Sequence, residues 1–235
     1  IVMTYNMQQG SHENGDRSYT KQLELLKEIN PDILGLQECD TARPSGGNVD
    51  AVRFFAESMA YYYVYYGPNT VSGTFGTAIL SRHPISNSRS IFTYSDTDEI
   101  GTAVCEIGKV IKVFCCHPAG GDVPLNAQVE AVIKENEHSR YAIALGDFNF
   151  TPRSSPYKKL EGCLDNSANK VGTKKVNFHG GEPDLTRKID HIFISSGFDA
   201  IESHYLPPPQ SRTDHPAHWS VIGPSDHRFH FCFTQ

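Results

Sequence analysis

Acidic, amide and imidazole side chains recur at the ends of apolar runs in this chain. They are Asn6 in "TYN", Glu38 in "LQE", His117 in "CCHP", Asp147 with Asn149 in "GDFN", Asp190 in "KIDHIF", and Asp226 with His227 in "SDHRF". Carboxylate and amide oxygens bind hard cations, and imidazole moves protons near neutral pH. Taken singly, each is ordinary cap or turn chemistry, because Asp and Asn hydrogen-bond their own backbone. Taken together they point to metal-assisted acid–base chemistry, since ligands bind at the carboxyl ends of strands in α/β sheets.

For these residues to meet, the runs that carry them must be strands of packed sheets. "IVMTYNMQQG", "DILGLQE", "YYYVYYGP", "TFGTAILSRHPI", residues 102–107, "KVIKVFCC", "YAIALG", "KIDHIFIS" and "RFHFCFTQ" read as strands bounded by turn residues. "YTKQLELLKEIN" places Leu23, Leu26 and Ile29 at helical spacing before Pro31, and "DAVRFFAESMA" does the same with Val52, Phe55 and Met59. Further helices are expected near 124–136 and after Pro152, with a loop-rich stretch over 165–187. The strands are short and lack a strict β-α-β rhythm. That pattern predicts two sheets packed face to face with helices outside, in one domain over 1–235. The start inside a strand suggests a piece of a longer protein.

Composition narrows the class. The 235 residues carry a net charge of −6, with no basic run longer than Lys174-Lys175. Gripping long nucleic acid normally takes a basic surface, so no nucleic-acid partner is expected. No apolar stretch is long enough to span a bilayer. Cys39, Cys105, Cys115, Cys116, Cys163 and Cys232 show no zinc-ligand spacing. Cys115 and Cys116 are neighbours on a strand and must point to opposite faces.

The polar set, in this order from Asn6 to His227, resembles the endonuclease/exonuclease/phosphatase superfamily of DNase I-like fold, with "GDFN" and "SDH" downstream of "TYN" and "QE" carrying the likeness. The resemblance implies a four-layer α/β sandwich, two mixed and mostly antiparallel sheets flanked by helices. It also implies a Mg²⁺-dependent phosphodiesterase, with Mn²⁺ as a substitute. Glu38 and Asp226 are then metal ligands, and Asn6 is a ligand or a phosphate donor. Asp147 and Asn149 orient water and phosphate, and His117 donates to the phosphate or leaving oxygen. His227, held by Asp190, is the general base or transition-state stabiliser. Asp147 and His227 both remain open as the group that deprotonates water. His83, His179, His215 and His218 lack motif support and are expected in loops or at the surface.

"LQECDTARPSGGNVDAVRFFAESM" with "YYGPNTVSGTFGTAILSRHPI" is similar to the C-terminal domain of the membrane proteins that remodel glycosylphosphatidylinositol (GPI) anchors, exchanging diacylglycerol for ceramide. That likeness implies a monomeric domain acting on a phosphoinositol or GPI lipid at the lumenal face of the endoplasmic reticulum membrane. The spanning region would then lie outside this sequence, and hydrolysis and transfer both remain open. Arg43 in "TARPSGGN" suits a phosphate, or is a surface Arg in a flexible loop. Tyr61 to Tyr66 suit a lipid interface, or fill the core. The one N-x-[ST] sequon falls on Asn149, where a glycan would block the site, and this counts against a lumenal home. A metal-dependent nuclease of the same fold and a non-catalytic lipid-headgroup-binding domain are the alternatives.

Overall fold

Alternation of side-chain direction along each strand accounts for how this chain divides. The computed structural model describes residues 1–11, 18–39, 49–67, 75–94, 99–137 and 139–226. Its strands are β1 (Val2–Asn6), β2 (Ile33–Cys39), β3 (Tyr62–Tyr66), β4 (Gly76–Ser81), β5 (Ile85–Tyr94), β6 (Glu99–Ile107), β7 (Ile111–Cys116), β8 (Ala142–Asp147), β9 (Asp165–Asn166), β10 (Val176–Asn177), β11 (Asp190–Ile194), β12 (Phe198–Leu206) and β13 (Ala217–Pro224). The helices are α1 (Tyr19–Ile29), α2 (Ala51–Met59), α3 (Asp122–Asn136), α4 (Ser155–Glu161) and α5 (Ser167–Val171). None of them is long and apolar enough to cross a membrane.

Strands β10-β12-β13-β1-β2-β4-β3 form one sheet and β5-β6-β7-β8-β11-β9 the other. Both are mixed: β1 runs parallel to β2 and antiparallel to β13, and β8 runs parallel to β7 and antiparallel to β11. Between the sheets lies an apolar layer in which Val2, Ile33 and Ile79 meet Val113, Cys115, Ile143, Leu145 and Ile192. Gly35 belongs to this seam, where an added Cβ would lie 1.9 Å from Leu145 Cδ1, so the missing side chain lets the sheets close. The alternate residues point outward. Met3, Tyr5, Leu34 and Leu36 pack under α1 and α2, whereas Phe114, Cys116, Ala144 and Phe193 pack under α3 and α4. The layers therefore run α/β/β/α, and Cys115 and Cys116 fall into different layers, as neighbours on a strand must.

Local signals set the element ends. Ser18 caps α1 by accepting the Lys21 N–H, and Asn30 ends it in the left-handed region (φ 52°) just before Pro31, which cannot extend a helix. Besides the two-residue strands β9 and β10, inside the stretch read as loop-rich, three longer strands escape a reading by apolar period. The solvated edge strand β5 is rich in Ser, Asn and Arg. β12 carries Ser203 and His204 inside its run, and β13 presents buried His218 and Ser220. The expected final strand at 228–235 lies outside the described residues. The tyrosine run divides: Tyr61 is buried and Tyr65 packs against the outer core, whereas Tyr62 and Tyr63 on edge strand β3 are 52% and 43% exposed.

Candidate active site

Carried to the strand ends, the same alternation gathers polar groups at one end of the seam. Val2 and Thr4 face the seam on β1, and so does fully buried Asn6. Ile143 and Leu145 lead to Asp147, Cys115 leads to His117, and Ile192 on β11 places Asp190 on the same side. Glu38 needs a different device, because regular alternation would turn it outward. Leu36 and Cys39, three residues apart, both pack in the outer core. The pairing with β4 shifts between them, and Glu38 takes φ 49°. This bulge re-aims the carboxylate toward Asn6.

Asn6 Nδ2 donates to Glu38 Oε1 at 3.2 Å and to Asp147 Oδ2 at 3.0 Å. Asn6 Oδ1 accepts the backbone N–H of Gln8 at 3.0 Å. A backbone amide can only donate, so the Asn6 nitrogen must be the atom that faces the carboxylates. This corrects the expectation that Asn6 offers an oxygen to a cation. It is a donor that holds the two carboxylates together.

Asp147, 2% exposed, is the hub. Its Oδ1 accepts the Asn149 N–H at 3.0 Å, while its Oδ2 lies 3.6 Å from His117 Nε2 and 3.5 Å from His215 Nε2. Asn149, at φ 52°, donates from Nδ2 to the Pro118 carbonyl at 3.0 Å and is exposed at the rim. Turn chemistry and site chemistry thus coincide in this pair.

His215 Nδ1 lies 3.1 and 3.2 Å from the two Asp190 oxygens. Burial pushes the Asp190 carboxyl up to about 6 and Asp147 adds to the rise, against the lowering hydrogen bond and charge of His215. Burial also lowers His215, but the hydrogen bond and charge of Asp190, with the charges of Asp147 and Asp214, outweigh it and raise the imidazole to about 9. Behind Asp190, its carbonyl accepts the Tyr205 hydroxyl at 3.3 Å and faces His218 Nδ1 at 3.2 Å. The His218 ring stacks on Tyr205 with centroids 3.9 Å apart. These contacts fix the carboxylate that orients His215.

Asp147, Asp190 and His215 each bring one ligand atom within 4.8 Å of the others, a cluster of a size to hold a metal. Both Asp190 oxygens already face the His215 ring. The oxygens more open to a cation belong to half-buried Glu38 and exposed Asp214. Asp214 is tied beside Asn6, since its N–H donates at 3.3 Å to Oε1 of Gln8, the residue whose N–H holds the Asn6 amide. Both Glu38 and Asp214 are oxygen donors of the kind a hard divalent cation takes.

Two expectations change. The imidazole beside Asp190 is His215, read from sequence as a loop residue, and His218 is fully buried rather than exposed. "TDH" at 213–215 and "SDH" at 225–227 offer the same Asp-His pair, and the strand that follows decides between them. β13 starts two residues after His215 at the site end, then runs away from it, Thr4 pairing with His218 and Val2 with Ser220. Asp226 therefore lies past the far end of β13, which itself is about 26 Å along the strand from the level of Asn6 at ~3.3 Å per residue. That separation rules it out as a ligand sharing a cation with Glu38. His227 and Arg43 lie outside the described residues.

A family model described as the Endonuclease/Exonuclease/phosphatase family matches residues 3–227. Among solved structures, an endonuclease/exonuclease/phosphatase from Beutenbergia cavernae is similar at TM-score 0.73 and 15% identity, over 95% of this chain and 71% of that one. A mannosyl-6-phosphatase from Bacteroides thetaiotaomicron gives 0.69 and 17%, over 94% and 98%. D. rerio TDP2, complexed with a single-strand DNA product, gives 0.69 and 14%, also over 94% and 98%. At these identities the likeness shows the DNase I-like fold.

Proposed function

Because this chain belongs to the endonuclease/exonuclease/phosphatase family, whose members are typically metal-dependent hydrolases, we propose that it cleaves a phosphodiester linking inositol to a lipid. The observation that carries the reaction class is the convergence of Asn6 Nδ2, His117 Nε2 and His215 Nε2 on Asp147 Oδ2 at 3.0, 3.6 and 3.5 Å. Glu38 and Asp214 would hold a divalent cation, Mg²⁺ by the hardness of the donors. When bound, that ion neutralises phosphate oxygens and stabilises the leaving oxygen.

The chain's own groups supply the rest. Asp147 takes the proton of the attacking water, held in place for it by the Asn6 amide and the Asn149 N–H. His215, oriented through Nδ1 by Asp190, presents Nε2 to a phosphate oxygen, and His117 faces the same carboxylate from β7. Asn149 lies at the rim, where its side chain reaches substrate.

For the lipid, support comes from the sequence likeness and from exposed aromatics near the site end. Ala103 on β6 pairs with Cys115, the residue two before His117, whereas Tyr94 pairs with Glu99, four residues further on. The β5–β6 hairpin therefore overhangs the site end of its sheet, carrying Phe92 and Tyr94 at 50% and 70% exposure. Aromatic side chains are favoured at membrane interfaces. The test is release of the inositol-phosphate headgroup from phosphatidylinositol vesicles with Mg²⁺, with chelator, and with His215→Ala. Release lost under both treatments supports the proposal. Nicking of plasmid DNA with no headgroup release overturns the lipid substrate and leaves the family assignment intact.

A further inference from the structure

A second group of imidazoles stands on the opposite face of the seven-stranded sheet. Tyr205 and His218 point inward toward Asp190, so their neighbours His204 and Trp219 point outward, Trp219 packing against the outer core. His204 stacks flat on Trp219, with centroids 4.8 Å apart at 1°. His179 lies 5.2 Å from the same indole. Its backbone sits at φ 47°, pinned by Asn177 Oδ1 accepting the His179 N–H at 2.8 Å.

His179 Nε2 and His204 Nδ1 face each other at 3.3 Å. That is within reach of an N–H···N bond, and it also matches the edge of a tetrahedron, about 3.3 Å, between two nitrogens each ~2.0 Å from one metal. His204 Nε2 lies 3.3 Å from Glu202 Oε2. Donation to that carboxylate leaves the Nδ1 lone pair facing His179, the second-sphere arrangement found behind metal-bound histidines. Burial, then the nearby His204 charge, lowers the His179 pKa and favours the neutral ring that a metal requires. A cavity of about 510 Å³ between α1 and β13, whose lining includes His179 and Trp219 with Glu24, Glu28, Lys21 and Arg212, opens beside His179.

We propose that His179 and His204 form a binding site for a borderline divalent cation such as Zn²⁺ or Cu²⁺, separated from the catalytic cluster by the thickness of one sheet. Imidazole pairs select such ions over Mg²⁺. Trp219, the only tryptophan in the chain, reports on the site directly. The experiment titrates the whole protein with Cu²⁺ and follows its tryptophan emission. We expect quenching that saturates at one equivalent and is reversed by EDTA but not by excess Mg²⁺. It should be lost in His179→Gln and in His204→Gln, weakened in Glu202→Gln, and retained in His215→Ala. Melting curves check that each variant folds. Quenching that survives in the folded double variant His179→Gln/His204→Gln, or that never saturates, overturns the site.

Discussion

His215 carries the sharpest consequences at the level of single residues. His215→Ala should lower kcat by ~10²–10³ while the protein stays folded, the range for losing a donor aimed at developing negative charge. Asp226→Asn should leave kcat unchanged, because β13 carries that residue to the far end of the sheet. Glu38→Gln and Asp214→Asn should instead raise the Mg²⁺ concentration needed for half-maximal rate, read from activity against metal. Most of this site was legible in the sequence. Asn6, Glu38, His117, Asp147, Asn149 and Asp190 could be picked out because each ends an apolar run, and the structure gathers them. His215 was not legible in that way: two Asp-His pairs occur twelve residues apart, and the strand after the first hides its period behind buried His218 and Ser220. The amide orientation of Asn6 was beyond sequence altogether, since it depends on a turn that brings the Gln8 N–H back to it.

Elements place these residues by close approach. Gly146 pairs with Cys116 across β7 and β8, and an added Cβ would lie 2.0 Å from the Cys116 carbonyl oxygen. Backbone cannot yield there as a flexible side chain would. Gly146→Ala should therefore destabilise the protein by about 2–4 kcal/mol, seen as a lower Tm, and should reduce activity in the surviving folded fraction by displacing Asp147. The bulge at Glu38 is the second such device, and nothing in "LGLQEC" announces it, because the outward Leu36 and Cys39 are equally apolar on either register. Strands with dense apolar runs, such as β1, β8 and β11, were readable. Edge and polar-faced strands, such as β5 and β13, owe their pairing to neighbours distant in sequence.

For the molecule as a whole, burial of neutral histidines sets an acid limit. Burial lowers His191 to about 4, its ring enclosed by Phe148, Phe150 and Tyr157, and burial lowers His218 well below its ordinary value. The unfolded chain binds these protons near pH 6.5 and the folded protein does not. Stability is therefore fully present above that value and is lost as pH falls, for His191 down to about 4. Each histidine costs up to about 1.4 kcal/mol per pH unit within this window. Thermal melts at pH 7 and pH 5 check the sign, and His218→Gln should flatten the dependence if the variant folds. The seam has a mechanical side as well. One sheet contributes Asn6, Glu38 and His215, and the other contributes His117, Asp147 and Asp190. Neither sheet holds a working half. Sliding one against the other by a single residue, ~3.3 Å, exceeds the tolerance of every hydrogen bond that joins them. On the proposed function, catalysis is thus a vernier reading of how two independently woven surfaces are aligned.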